Sequence, residues 1–462
     1  MPKLIMMTDK VVMIECELLP IANTEDAVRI AEQVSALYCR GRCGYFRDSV
    51  KRDLKIMCLT GETEVLMSNG SRTISSIVDE QITTEVLTSG GQWNPIEQHY
   101  KRPYKGELIQ IIVQKINIPM NITPNHEVFV WDTKARTQRN WYRGQLSIKK
   151  AGDLKAGNLA SKSDKLVIPL PIEHDRESVD VPPPIKWARN LIPEGRFRLT
   201  KENLRLLGLY VAEGHVSKTK VSLHNSTNVT WSFGSNENKL IGEVKETLKN
   251  SFNIEASTQV NTATQITASS AQLGHFILSN FNTGSRKKKL PVWLLELPKE
   301  KLQHFMSGAV DGDGHKAVMQ NSWSNEPVTT YASASKTLIM QLFLVAIKLG
   351  VIPSLRMYHQ RNHHLNGREI KSSTDGYYYN ISWRKSGKGT VGQIINNFLI
   401  LPIKRIKQIP FSGYVYNIGI KQDHSYTANL FAVKNCFSPQ DAYLAVLKEE
   451  IRKRGAVSIV PQ

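Results

Sequence analysis

The sequence predicts a multidomain chain. An all-β domain is interrupted by an α+β domain with internal pseudo-twofold symmetry, and short α/β pieces flank the whole. Three observations predict this. Short β-branched runs separated by turn signals begin at Cys58, fade near residue 175, and return between Ile409 and Val433. A glycine-bearing helical pattern occurs twice in the stretch between, with its acids at positions 213 and 313. Residues 1–57 and 436–462 differ in character from the segment they enclose.

The elements follow in order. Residues 10–14 form a strand-like run. A helix pattern succeeds it, with Thr24 as N-cap and Ala27, Ile30, Ala31, Val34 and Tyr38 on one face. Residues 58–175 are the first part of the β domain. Its runs at 63–67, 85–88, 107–113 and 127–131 alternate with turn signals such as Asn69-Gly70 and Gly90-Gly91. Residues 176–195 read as a linker, because Pro182, Pro183 and Pro184 favour a semi-rigid extended spacer. Residues 196–400 are mixed α and β, and residues 401–435 complete the β domain. Residues 436–462 read as one helix, capped by Ser438, with Pro439 in its first position and Leu444, Leu447 and Ile451 as a stripe.

A chain of 462 residues, 41% hydrophobic and 22% charged, has the composition of a soluble globular protein with two or three cores. No stretch approaches the roughly 18 apolar residues of a membrane span. Lys3, Asp9, Lys10, Glu15 and Glu17 interrupt any secretory apolar run. The expectation is a cytoplasmic monomer with no membrane partner. The net charge of +19 suits a polyanion, most often nucleic acid, although a merely soluble basic protein fits it as well. Five cysteines are too few and too unevenly placed for a disulfide scaffold. In a reducing compartment they remain available as nucleophiles. Cys16, Cys39, Cys43 and Cys436 number enough for a four-ligand zinc or iron–sulfur site, though their spacing matches no strong motif.

Chemistry concentrates at the ends of the enclosed segment. Cys58 opens the stretch CLTGETEVL, and Asn435-Cys436 closes SYTANLFAVKNCF. A thiol can attack the carbonyl before it, here that of Met57, and make a thioester without water. Its thiolate forms at a pKa of about 8.5 and is intrinsically nucleophilic. The shift is uphill unless the amide is distorted and its nitrogen protonated. Thr123, Pro124, Asn125 and His126 offer a hydroxyl and an imidazole in one turn for that purpose. Taken alone, His126 is more ordinarily a surface turn histidine. At the other end, the Asn435 amide can attack its own carbonyl, close a five-membered imide and break the bond to Cys436. The Cys436 thiol can capture the acyl group from Cys58 by exchange.

The repeat carries a second chemistry. Residues 206–215 and 306–315 both keep a Gly, a small residue four later, an acid one further, then Gly-His. So long a period means a duplicated half-domain rather than a solenoid. Leu204, Leu207, Gly208 and Val211, and Leu302, Phe305, Met306 and Ala309, follow the i, i+3, i+4, i+7 rule. Gly208 with Ala212 and Gly308 with Gly312 let two helices approach backbone to backbone. Glu213 and Asp313 then lie side by side, suited to divalent cations. The plainer reading is two helix-terminal carboxylates in glycine turns. Arg286, Lys287, Lys288 and Lys289 follow the first acid at about the distance at which Arg384, Lys385 and Lys388 follow the second. They read as phosphate contacts.

On these residues, 58–435 resembles inteins carrying a LAGLIDADG homing endonuclease, over about four-fifths of the chain. The motifs are residues 58–63, residues 123–126, Gly413 to Asn417 with Asp423 to Tyr426, Asn435-Cys436, and the paired helices. The resemblance implies a Hint-fold splicing domain at 58–175 and 401–435, an endonuclease at 196–400, and host pieces at 1–57 and 436–462. It implies protein splicing without a cofactor: an N-to-S acyl shift at Cys58, transthioesterification to Cys436, cyclisation of Asn435 and an S-to-N shift. Thr123, His126 and His424 would assist. It implies that Glu213 and Asp313, at the eighth motif position, bind Mg²⁺ or Mn²⁺, that Asp311 at the sixth is structural, and that the target is double-stranded DNA of the uninterrupted host gene. One lysine per half would sit by the scissile phosphate. Two positions depart from the family. Lys434 stands where most members have His, which passes its role to His424 or water. Asn417 stands where many have Asp, which questions carboxylate coupling between the junctions. Competing readings are a Hint-type autoprocessing domain that cleaves without ligating, and an intein that only splices beside a degenerate DNA-binding endonuclease. Cys436 weighs against the former, and the intact Glu213 and Asp313 weigh against a further reading, a DNA-binding or RNA-intron maturase-like protein with dead catalysis.

Overall fold

The computed structural model describes residues 3–8, 11–15, 57–133, 138–157, 163–184, 190–221, 224–318, 326–359, 363–365, 368–370, 376–386, 391–420 and 422–435. The helices expected after Thr24 and Ser438, the four cysteines Cys16, Cys39, Cys43 and Cys436, and Lys388 lie outside the described residues. Before residue 57, Lys3–Thr8 and Val11–Glu15 form an antiparallel pair.

The β domain is organised by two long strands, Gln98–Val113 and Phe398–Gly419. They run antiparallel from Ile403 opposite Val113 to Gly419 opposite Gln98. Their outer stretches alternate exposed and half-buried residues, the period-two pattern of a strand with one wet face. The short strand Leu59–Thr60 joins this pair, with Thr60 opposite Val415 and Leu59 between Tyr416 and Ile122. At the far end of the segment, Ser425–Ala428 and Phe431–Lys434 form a hairpin. Its turn needs left-handed backbone at Asn429 and Leu430, with φ of 47° and 76°. The Asn429 side chain holds that turn down, accepting from Glu64 N–H at 3.0 Å and donating to the Pro119 carbonyl at 3.1 Å. Val433 lies opposite Val128, in the strand that begins immediately after His126. The strand after Cys58 and the strand before Asn435 are thereby woven into one β layer.

The chain leaves this layer and re-enters it through neighbouring strands. Lys165–Pro169, buried throughout, pairs with residues 398–402 from Lys165 opposite Pro402 to Pro169 opposite Phe398. Everything between is inserted. The entry is tied down: Ser178–Asp180 pairs with Arg196–Arg198, and the buried Gln272 side chain accepts from Ile192 N–H and donates to the Pro182 carbonyl. The described part of residues 176–195 is therefore packed, not a loose tether.

The insertion contains two halves of the same topology. In the first, the helix Lys201–Glu213 leads into the hairpin Gly214–Val221 and His224–Phe233, the helix Asn238–Phe252, and the strands Ser257–Val260 and Thr264–Ser269. In the second, the helix Lys299–Asp313 leads into His315–Ala317 and Val328–Ser333, the helix Lys336–Lys348, and the strands Ser354–His359 and Tyr377–Trp383. Within each half the second strand pairs with both the first and the fourth, and the fourth with the third. The two leading helices pack against each other through glycine. A methyl group on Gly208 would stand 2.1 Å from the Phe305 carbonyl oxygen, and one on Gly308 would stand 2.2 Å from that of Arg205. Only residues without Cβ allow this approach, and the reciprocal contacts mark the pseudo-twofold axis.

The insertion also bonds to the β domain. Lys336 Nζ pairs with Glu64 at 3.1 Å, Lys289 Nζ donates to the Asn69 carbonyl at 2.8 Å, and the hydroxyls of Ser71 and Thr337 lie 2.8 Å apart. Leu355 bridges to Ile116, so an 18-stranded sheet includes strands of both parts. The protein is mixed α+β with one large β-sheet.

Candidate functional site

The peptide bond between Met57 and Cys58 is held at both of its polar atoms. The Cys58 N–H donates to Thr123 Oγ1 at 2.9 Å, and the Thr123 N–H returns a bond to the Cys58 carbonyl at 3.0 Å. The Met57 carbonyl oxygen accepts from Asn417 Nδ2. Cys58, Thr123 and Asn417 are all buried, so these contacts act where water competes little.

His126 lies at the centre. It is fully buried, in a turn closed by its own N–H on the Thr123 carbonyl at 3.0 Å. Burial pulls its pKa down to about 3, opposed by the backbones of Met57 and Lys434, which favour the charged ring. Among the described residues, no atom meets Nδ1 or Nε2 at full hydrogen-bonding geometry. The Met57 and Lys434 backbones both favour protonation of this ring. The sequence suggested a surface histidine or one titrating near neutrality. Burial makes it neutral at pH 7 instead, a ring that takes a proton only when charge develops beside it. Met57 precedes Cys58 and Lys434 precedes Asn435, so one imidazole neighbours both ends of the segment.

Asn435 is buried, its N–H on the His424 carbonyl at 3.0 Å and its Nδ2 on the Ile420 carbonyl at 2.9 Å. His424 is half-buried in a left-handed turn with φ of 49°, and contributes its backbone to Asn435.

A second cluster stands at the ends of the paired helices. Glu213 ends the first and Asp313 the second. Loss of hydration pushes Glu213 up to about 7, with Asp313 and Glu237 adding to the rise and Lys288 opposing it. Asp313 is exposed, yet lost hydration raises its pKa too, again against Lys288. Lost hydration, with Asp313 adding to it, brings Glu213 toward neutrality, and a divalent cation held by the two hard carboxylates would restore their charge. No group of three or more His, Cys, Asp or Glu converges among the described residues. Further ligands would have to be backbone, water or phosphate oxygens.

Lys288 departs from its expected place on a nucleic-acid surface. Its side chain is buried and its ammonium donates to the carbonyls of Tyr210, Val211 and Ala212 at 3.1, 2.8 and 3.2 Å. A cation at a helix C-terminus is favourable, and these bonds use all three donors. Burial pulls its pKa down to about 8 against the pull of Asp313 and Glu213. Lys289 likewise faces Asn69 rather than an open groove. Arg286, Lys287 and Lys385 are exposed, and Arg384 is half-buried. Sequence reasoning also missed Arg205. It reaches across the helix pair to Ser307 and Asp311 at 3.1 and 2.7 Å, and clamps Glu243 on the same half. Asp311, expected to be structural, has this partner.

No family model matches the chain. It is 25% identical over 440 residues to an uncharacterised protein of Methanocaldococcus jannaschii, covering 83% of this chain and 50% of that one. It is 22% identical over 443 residues to an ATP-dependent DNA helicase of Thermococcus kodakarensis, covering 86% and 38%. It is 23% identical over 332 residues to an iron–sulfur cluster assembly SufBD family protein of Mycobacterium bovis, covering 70% and 35%. The chain spans half or less of the length of these relatives. Similar solved structures include I-DmoI in complex with nicked target DNA in the presence of Mn, at a TM-score of 0.28 and 15% identity, covering 40% of this chain and 89% of that one. Another is the I-LtrWI LAGLIDADG homing endonuclease bound to target DNA, at 0.26 and 12%, covering 41% and 80%.

Proposed function

We propose that the chain is an intein precursor, in which residues 58–435 excise themselves and join Met57 to Cys436. The observation that carries this is the convergence of both ends of the segment on one buried imidazole, His126. The Cys58 thiol adds to the Met57 carbonyl, the C–N bond breaks, and the thiol proton ends on the freed amine. Thr123 holds that nitrogen. The Cys436 thiol displaces Cys58 from the thioester, Asn435 Nδ2 closes on its own carbonyl with release of the Cys436 amine, and that amine takes the acyl group from sulfur. Similarity to proteins named as a helicase and an iron–sulfur assembly factor, each over under half its length, supports a segment found within unrelated hosts. Because the reaction needs Cys58 and Cys436 as thiols, we infer a reducing, cytoplasmic compartment. Tandem mass spectrometry of the expressed chain under reducing conditions tests the reading. A peptide running from Met57 directly into Cys436 is expected, and only unspliced or hydrolysed termini would refute it.

We further propose that the excised protein cuts double-stranded DNA at a long asymmetric site. The duplicated halves, the apposed Glu213 and Asp313, and exposed basic residues support this. A bound Mg²⁺ or Mn²⁺ would activate water and stabilise the leaving oxygen. Glu213 and Asp313 would hold it, Lys288 would keep the second charge from repelling the first, and Arg286, Lys287 and Lys385 would meet phosphates.

A further inference from the structure

Asn417 is fixed by contacts at both ends of its side-chain amide. Its side chain is wholly buried. The Ile418 N–H and the Tyr426 hydroxyl both donate to Oδ1, at 2.8 and 2.7 Å. With two donors on the oxygen, the other end of the amide is the NH₂ group, and its orientation is fixed by the network. That group donates to the Met57 carbonyl oxygen. This is the oxygen on which negative charge develops when Cys58 Sγ adds to the Met57 carbonyl carbon. As the S–C bond forms, the carbonyl π pair moves onto that oxygen. It returns when the C–N bond breaks.

We propose that Asn417 is a catalytic residue of the acyl shift, an uncharged donor to the Met57 oxyanion, and that Tyr426 is its positioning residue. The proposal rests on the splicing reading and assigns a task to a position that reads from sequence as a departure. A carboxylate here would be an acceptor only and would face the oxyanion with like charge. An amide donates at every pH. A single preorganised donor of this kind is worth roughly 100-fold in rate.

The test uses the full chain carrying Asn435→Ala, which keeps the downstream bond closed. Cleavage between Met57 and Cys58 by added dithiothreitol is followed on gels. If this parent does not cleave faster than one that also carries Cys58→Ala, the splicing reading itself fails. Given cleavage, Asn417→Ala should slow it by about 100-fold. Asn417→Asp should be slow at neutral pH and gain on Asn417→Ala as pH falls through the carboxyl range, because the protonated acid regains a donor. Tyr426→Phe should slow the reaction by about tenfold without that pH dependence. A change of less than about threefold in Asn417→Ala, or an Asp-to-Ala rate ratio flat with pH, would overturn the proposal. If Asn417→Ala does not fold by circular dichroism, the ratio of Asn417→Asp to the parent replaces it. That variant keeps the side-chain volume.

Discussion

Each buried residue at the junctions makes a separate demand. His126 is neutral when folded, with a pKa near 3 against an ordinary 6.5. Between those values the unfolded chain binds the extra proton, so stability rises with pH. The contribution is full above about 6.5 and is lost as pH falls toward 3, on the order of 4 kcal/mol across the window. Denaturant titrations of an unreactive Cys58→Ala, Asn435→Ala chain should show the loss between pH 7 and 4, and His126→Gln should reduce it. The two nucleophiles should fail differently. Cys58→Ala should leave at most release of residues 436–462, whereas Asn435→Ala should block that release and permit thiol-induced cleavage at Met57. Identical gel patterns would contradict the division of labour. Lys434→His should hasten Asn435 cyclisation, because an ammonium group is a poor proton shuttle at neutral pH. An unchanged or lower rate would mean that His424 or the backbone geometry already fulfils the role.

At the scale of elements, the paired helices depend on close backbone approach. Gly208→Ala would drive a methyl into the Phe305 carbonyl at 2.1 Å. The helices would have to part, at a cost of about 1–3 kcal/mol, and the two acids would separate with them. DNA cleavage should fall and the thermal midpoint should drop. Gly242 lies in the helix Asn238–Phe252, where an added methyl meets nothing within 4 Å. Gly242→Ala should stabilise by up to about 1 kcal/mol and leave cleavage intact. Equal effects of the two changes would show that packing at the axis is not what Gly208 supplies. The repeat was legible because helical period and residue size are local properties. Arg205 was not. Its partners Ser307 and Asp311 lie across the helix pair, and nothing near Arg205 in sequence announces them.

Over the whole molecule, the two proposed chemistries fall in separate parts of the chain. The insertion enters and leaves through adjacent strands, Lys165–Pro169 and Phe398–Gly419, so the β layer closes without it. Glu213→Gln and Asp313→Asn should therefore abolish DNA cleavage while splicing proceeds. Salt-sensitive DNA binding should survive, because the changes would remove the proposed metal ligands and keep the basic surface. Cleavage in the double variant, measured on a fragment spanning the uninterrupted junction, would sink the nuclease reading.

Cys58 and the Asn435-Cys436 pair, the interruption and return of β character, and the duplicated acid-bearing helices were legible in the chain before it was folded. Each is written in neighbouring residues: a Cys beside a strand, an Asn-Cys pair, a helical period with small residues four apart. Burial and close approach emerged with the folded chain. Four consecutive basic residues at 286–289 look alike as a string, yet Arg286 and Lys287 face solvent, Lys288 is buried under the helix end, and Lys289 meets the β domain. A turn histidine became a buried neutral imidazole, and an apparent variant, Asn417, became the donor to a carbonyl 360 positions away. Hydration and electrostatics at a group depend on what the fold brings against it. Contacts across such separations leave no trace in local composition.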